Sequence, residues 1–430
     1  MSEKEIKKAL FYHSKDRPGK TEIIPTKPLC TPEEMALAYT PGAIFPAVGI
    51  SKERWNAYKY TNKGNLVAVI SNGSAIPGKG NLGALASKPI LEGKSALFKL
   101  RADIDAFDIE LGEENTERMI QEIQAMAPTF GAISLEDISR PRSHEIENRL
   151  QKLLGIPVVE DKSLSIAVCI GAATLNASEL VLKEPKTLKI VINGTEDLST
   201  TTIRLLNKLG IEDKNILLLN NEKKSHIEDI TGSDVYIEFT QENIISKEEL
   251  ISMAPRPILF MLNDNAIDSD YYSMLLVRPD SIIATMRHEQ PNQICEALVF
   301  PYLFRGALDT YSTMITDSML LAAIRSIAGI AHRPVPHSIE KVYHRRLEFG
   351  KDYILPKPND NRLLTEVSSA VALAAIEGGI ARRNIINWKE YRNTLLSRME
   401  HGSRYGNHTR HHNSRENKLH RRYIRGIPEF

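Results

Sequence analysis

The sequence predicts an α/β protein of two domains: a mixed α/β domain over residues 1–160, then a Rossmann-like, doubly wound domain over residues 161–395. Three observations carry this. Apolar segments of strand length recur at βα spacing, the pattern of a parallel sheet with crossover helices. The stretch from Leu188 to Ile211, LKIVINGTEDLSTTTIRLLNKLGI, reads as strand, glycine turn and helix. Between the two halves, Ile166–Leu182 is apolar almost all round, which marks a buried helix joining them. A length of 430 residues supplies two or three cores.

Taken in order, residues 1–30 are polar and proline-punctuated, and Thr31-Pro32-Glu33-Glu34 opens a short helix with a capping box. AYTPG (residues 38–42) then turns the chain. NLVAVIS is a strand, NGSAIPGKGNLG a glycine-rich loop, GALASKPILEGKSALFKL a helix and AFDIEL a second strand. Glu114–Met126 is amphipathic at helical spacing, and Ala132–Leu135 is a short strand with Glu136-Asp137 at its end. Beyond the joining helix, strands are predicted at Lys189–Ile192, Asn215–Leu219, Asp234–Phe239, Pro257–Leu262 and Ser281–Thr285. Helices over Ile315–Ala331 and Arg362–Arg383 close the domain. No internal repeat is present.

A formal net charge of +1 excludes a global attraction to nucleic acid or to a membrane surface. No apolar run reaches the roughly 18 residues of a membrane span, and the charged start MSEKEIKKALFYHSK lacks a secretory apolar core. Cys30, Cys169 and Cys295 are too far apart for a zinc motif, and a cytoplasmic protein is expected. Residues 396–430 form a third segment: from Glu400 the chain is basic, histidine-rich and nearly free of apolar residues. That composition predicts a disordered tail, with contact to RNA or another anionic partner as the sharper reading. His401, His408, His411 and His412 are not read as a metal site.

The turn at Gly194 is incomplete as a dinucleotide cradle. Such a turn needs glycine for the tight bend, for close approach to phosphate and for helix–strand contact. Here Gly194 is followed by Thr195-Glu196-Asp197-Leu198-Ser199. Two carboxylates sit where phosphate should arrive, at a helix N-terminus whose positive charge they oppose. GKGNLG, residues 78–83, matches G-x-G-x-x-G to the letter but lies in the first domain after a proline, and a lone match is weak evidence.

The order AYTPG, VAVISNGSAIPGKGNLGALASKPILEGKSALFK, PTFGAISLEDI, IPVVED, ATMRHEQPNQ, FPYLFRGALD and DYILPKPNDNRLL resembles the bacterial malic enzymes over about residues 8–385. Larger members of that family append a phosphotransacetylase-like domain, where this sequence carries the basic tail. The resemblance implies oxidative decarboxylation of malate to pyruvate and carbon dioxide with NAD or NADP and Mg²⁺ or Mn²⁺, by a homo-oligomer. It places the catalytic tyrosine at Tyr39 and the catalytic lysine at Lys94. A lysine with a depressed pKa takes the proton of the hydroxy acid, and a tyrosine beside it returns one to the enol carbon.

The resemblance also assigns metal ligands, and here the sequence departs from it. Glu136 and Asp137 preserve the family's acidic pair. The family's HDDQHGTA reads Glu160-Asp161-Lys162-Ser163-Leu164-Ser165-Ile166-Ala167, so Lys162 holds the third ligand position and Asp161 is the neighbouring candidate. A hard divalent cation wants oxygen ligands, and a like charge at 4 Å costs roughly 4 kcal/mol at an effective dielectric of 20. The expectation is that the Lys162 ammonium replaces the ion and neutralises Glu136 and Asp137.

On the cofactor side the resemblance puts Asn220 where an acidic residue would bind the adenosine ribose, with Lys223 and Lys224 as candidates for a 2′-phosphate. Glu238 stands at a small residue near the nicotinamide. Asp264, Cys295 and Glu296 stand at asparagines that contact malate, where carboxylates repel it. The family reaction is therefore expected to be weakened or lost. The alternatives are a non-catalytic structural or regulatory subunit, alone or paired with a paralogue, and metal-independent proton transfer on a keto acid.

Overall fold

The computed structural model describes residues 3–14, 19–219, 227–240, 245–262 and 268–399. Its first sheet forms around β1 (Leu66–Ser71), which is buried along its whole length. A strand covered on both faces belongs inside a parallel sheet. With β2 (Asp105–Glu110), β3 (Ala132–Leu135) and β4 (Val158–Glu160) it makes four parallel strands in the order β2-β1-β3-β4. The crossovers are the helices Ala84–Ala102, Thr116–Met126 and Arg142–Leu153. The first of these buries Ser87, Leu91, Lys94, Ser95, Phe98 and Ala102, a stripe at helical spacing that includes one lysine.

The joining helix begins earlier than its apolar run. It spans Asp161–Leu180, because Glu160 caps it by accepting the amide and hydroxyl of Ser163. It directly follows β4, a three-residue strand that the spacing did not predict. Among the described residues this is the one helix long and apolar enough to cross a membrane by composition, and 78% of it is buried inside the protein. Its apolar surface is spent on the core, where it meets the Asp317–Ala331 helix and the second sheet.

That second sheet holds β5 (Ile190–Asn193), β6 (Ile216–Leu219), β7 (Val235–Glu238), β8 (Ile258–Met261), β9 (Ile282–Thr285) and β10 (Asn292–Gln293). All pairs are parallel, in the order β10-β9-β8-β7-β5-β6. Each sheet therefore reverses winding once, between β1 and β3 in the first and between β5 and β7 in the second. In open α/β sheets ligands bind beyond the carboxyl ends of the strands at such reversals.

Three helices, Phe300–Asp309, Asp317–Ala331 and Arg362–Glu377, pack back on the joining helix or on one another. The last ends six residues before the predicted Arg383, at Gly378-Gly379, where Gly379 takes φ 69°. A further helix covers residues 388–399 and buries Leu395, so ordered structure runs past the expected boundary at 395. The tail from Glu400 onward, with its five histidines, lies outside the described residues.

Candidate active site

Both reversals carry the residues singled out in the sequence. At the first, Glu136 and Asp137 follow β3, Asp161 follows β4, and the loop after β1 folds over them. Asp137 takes φ 47°, a left-handed conformation that aspartate tolerates, and its carbonyl accepts the Ala75 amide at 2.9 Å. GKGNLG runs from this loop into the Ala84–Ala102 helix, so the motif does join a strand to a helix, but in the first domain. Gly78, Gly80 and Gly83 all have positive φ, which accounts for glycine there.

Lys94 is the centre of the site. It projects from the buried stripe of its helix, 8% exposed, and its Nζ lies 2.5 Å from Glu136 Oε1, 2.5 Å from Asp161 Oδ2 and 3.3 Å from Glu296 Oε2. The ring of Phe300 covers it, 4.6 Å from the ammonium to the ring centre. Burial alone would depress this lysine, but Asp161, Glu136 and Glu296 outweigh that and hold it well above the ordinary lysine range. Burial, together with neighbouring carboxylates, pushes the Glu136 and Asp161 carboxyls up despite the ammonium.

The carboxylates are held from behind. Ser134 Oγ donates to Glu136 Oε1 at 2.8 Å, and Ser165 Oγ donates to Asp161 Oδ1 at 2.9 Å. Asp161 is fully buried and both its oxygens are engaged, so it faces the lysine rather than an ion. Asp137 is pushed up to about 6 by burial, which the charge of Lys162 partly opposes. Lys162 makes no ion pair with either acid among the described residues. The expectation that it neutralises Glu136 is corrected: the ion-pair partner of Glu136 is Lys94, and the charge of Lys162 bears on Asp137.

The structure does not bring Tyr39 to Lys94. Tyr39 ends the short helix Pro32–Ala38 and is 80% exposed, and every close polar partner of the lysine is a carboxylate. The capping box is as predicted, with Thr31 accepting the Glu34 amide and Glu34 accepting the Thr31 amide. Gly42 of AYTPG is required sterically, since a Cβ there would lie 2.3 Å from the Leu37 carbonyl oxygen. The residue the sequence did not assign to the lysine is Glu296, in the 3-10 turn Glu296–Leu298. The visible signal was a carboxylate directly before the apolar run ALVFPYLF.

At the second reversal, Gly194 follows β5. A Cβ on it would meet Phe239 Cβ and Ser199 Oγ, both at 3.1 Å. Glycine is explained here by close packing of strand, helix and Phe239, without any phosphate. Glu238, at the end of β7, turns inward. It is fully buried and accepts from Asn193 Nδ2 at 3.0 and 3.1 Å, Tyr236 Oη at 2.8 Å, and the amide and hydroxyl of Thr240 at 2.8 and 2.6 Å. Burial raises its pKa while those donors oppose the rise. Asn220, Lys223, Lys224, Asn263 and Asp264 lie outside the described residues, as do the side chains of Glu196 and Asp197.

Neither implied group fits what is described. Among the described residues no cluster of three His, Cys, Asp or Glu side chains is disposed to hold a metal ion, since an ammonium stands between the carboxylates. The turn after β5 lacks the further glycines that would let a pyrophosphate approach its backbone.

Residues 18–151 match the family model for the malic enzyme N-terminal domain. The chain is 40% identical over 423 residues to a probable NADP-dependent malic enzyme of Rickettsia prowazekii, covering 93% of this chain and 55% of that one. It thus spans about half the length of that relative. A shorter NADP-dependent malic enzyme of Halomonas elongata is 38% identical, with 89% of this chain and 96% of that one covered. The crystal structure of malic enzyme from Pyrococcus horikoshii superposes with a TM-score of 0.83 at 32% identity, covering 92% and 96% of the two chains. With identity running through both sheets and over nearly the full length of the Halomonas protein, the chain belongs to the malic enzyme family.

Proposed function

We propose that this chain binds malate or a related hydroxy or keto acid at the first reversal, and that oxidative decarboxylation with NAD(P) and Mg²⁺ or Mn²⁺ is weakened or lost in it. The observation that carries this reading is the Lys94 ammonium held by Glu136, Asp161 and Glu296. A general base must be neutral to accept a proton, and two buried carboxylates and a third, partly exposed one favour the charged form. Lys94 is built to anchor an acid and to donate, not to accept. Glu296 is the partner that an entering acid would displace, being the most distant of the three and 26% exposed where the others are 7% and 0%. The chain is further proposed to be a cytoplasmic homo-oligomer, or one subunit beside a paralogue.

The test is NADPH formation from malate with Mn²⁺, run beside the Halomonas elongata protein. The expected rate is below about a hundredth of that control, a loss of at least about 2.7 kcal/mol in transition-state stabilisation. A rate within tenfold of it overturns the reading and supports a second one, a working NADP-dependent malic enzyme. That second reading is favoured by 38–40% identity to NADP-dependent relatives along about nine-tenths of the chain. Proton transfer on a keto acid without metal is a third, read by exchange of deuterium into the methyl group of pyruvate.

A further inference from the structure

Three carboxylates from three separate elements converge on one point in the cleft. Glu136 ends β3, Asp161 opens the joining helix and Glu296 sits in the turn after β10, and the point they share is occupied by Lys94 Nζ. This is how a protein holds a cation, and here the cation is covalently its own. A divalent ion would need the same oxygens at about 2.0–2.6 Å and would have to expel a buried ammonium to reach them. The fourth acid, Asp137, is 9% exposed and its carboxylate has no hydrogen-bond donor among the described residues. Lys162, on the first turn of the joining helix, directly follows Asp161. That lysine stands where the family's third oxygen ligand would be.

We infer that the Lys94 ammonium, with Lys162 at the third ligand position, takes in this chain the place that a divalent ion takes in its relatives among Glu136, Asp161 and Glu296. The inference concerns charge and does not depend on whether malate is turned over. It predicts a protein indifferent to metal: chelator leaves its melting temperature unchanged, and added Mn²⁺ does not raise it. It also predicts that Lys162, a cation at a ligand position, adds to the exclusion of the ion.

Attenuation of the free Mn²⁺ spin-resonance signal by the full chain measures this directly. Wild type should leave the signal unattenuated. Lys162→Asp, which restores an oxygen ligand, should bind Mn²⁺ at least about tenfold more tightly, since affinity follows ligand charge and number. Lys162→Gln removes the charge without adding a carboxylate, so it should melt lower than wild type and be rescued by Mn²⁺. This second variant keeps the test open if Lys162→Asp fails to fold. Mn²⁺ affinity in wild type equal to that of Lys162→Asp overturns the inference, and so does failure of both variants to gain affinity over wild type.

Discussion

Lys94 lies on the core-facing stripe of its helix beside Leu91, Ser95 and Phe98, so its energetics are those of a buried ion pair. Removing one partner from such a pair costs about 3–5 kcal/mol, because it strands the other. Lys94→Met is expected to lose that much stability in urea denaturation, and Lys94→Met with Glu136→Gln to recover part of it, because one stranded charge is gone. Equal stability of the single and double variants would refute the coupling. A second acid gives a pH signature. Burial raises Glu147 from 4.5 to about 7, against the Glu160 amide that donates to it. The folded state then holds a proton that the unfolded chain has released, so this contribution to stability is present below about pH 4.5 and falls as pH rises to about 7. Glu147→Gln should flatten that part of the stability profile, and an unchanged slope would count against it. At this scale the sequence was legible for Lys94, Glu136, Asp137 and Asp161 only through the resemblance of their motifs, and the structure brings Glu136 and Asp161 to Lys94. It was not legible for Glu296, whose distance of 202 residues from Lys94 is closed only by the tertiary fold, nor for the inward turn of Glu238.

Among the elements, the packing of the helices Phe300–Asp309 and Arg362–Glu377 depends on a missing side chain. A Cβ at Gly306 would lie 2.7 Å from Val371 Cγ1 and 2.8 Å from the Ser368 carbonyl oxygen. Alanine would gain about 1 kcal/mol in helix propensity, but overpacking against backbone costs about 1–3 kcal/mol. Gly306→Ala is therefore expected to be destabilising, and a rise in its denaturation midpoint would show that the two helices can part without penalty. The same helix carries Arg305, 1% exposed, which donates to Asp309 at 3.0 Å and reaches Asn65 of the first domain at 2.5 Å. Strands of the second sheet were legible to within a residue at either end, because buried parallel strands are apolar runs bounded by turns. The elements missed are those whose sequence is not apolar for long enough to show. β4 has three residues and β10 two, and the joining helix starts with five residues in which Asp161, Lys162, Ser163 and Ser165 hide the helical pattern behind site chemistry.

For the molecule as a whole, two sheets share one core through the joining helix, while the N-terminal arm stands apart from it. Neither Pro32–Ala38 nor Ile44–Lys52 buries a single residue, although Leu37, Tyr39, Ile44 and Phe45 are apolar and 54–80% exposed. Capping and turn chemistry shape this arm locally, yet nothing within the described residues covers it. Exposed apolar residues of this kind are what an interface would cover, and in the proposed homo-oligomer an isologous contact between two copies would bury them twice over. Light scattering should give a mass of at least two chains. Phe45→Asp, at a position 75% exposed in the single chain, should change the stability of an isolated chain by no more than about 0.5 kcal/mol. At an interface it must instead bury a charge against apolar surface, so the variant should dissociate at concentrations where the wild type does not. Because Tyr39 lies on the same surface, acid binding measured by thermal shift should weaken with dissociation if the tyrosine contributes only in the assembly. A wild type that is monomeric throughout would remove both expectations and leave Tyr39 a solvent-facing residue at the end of a short helix.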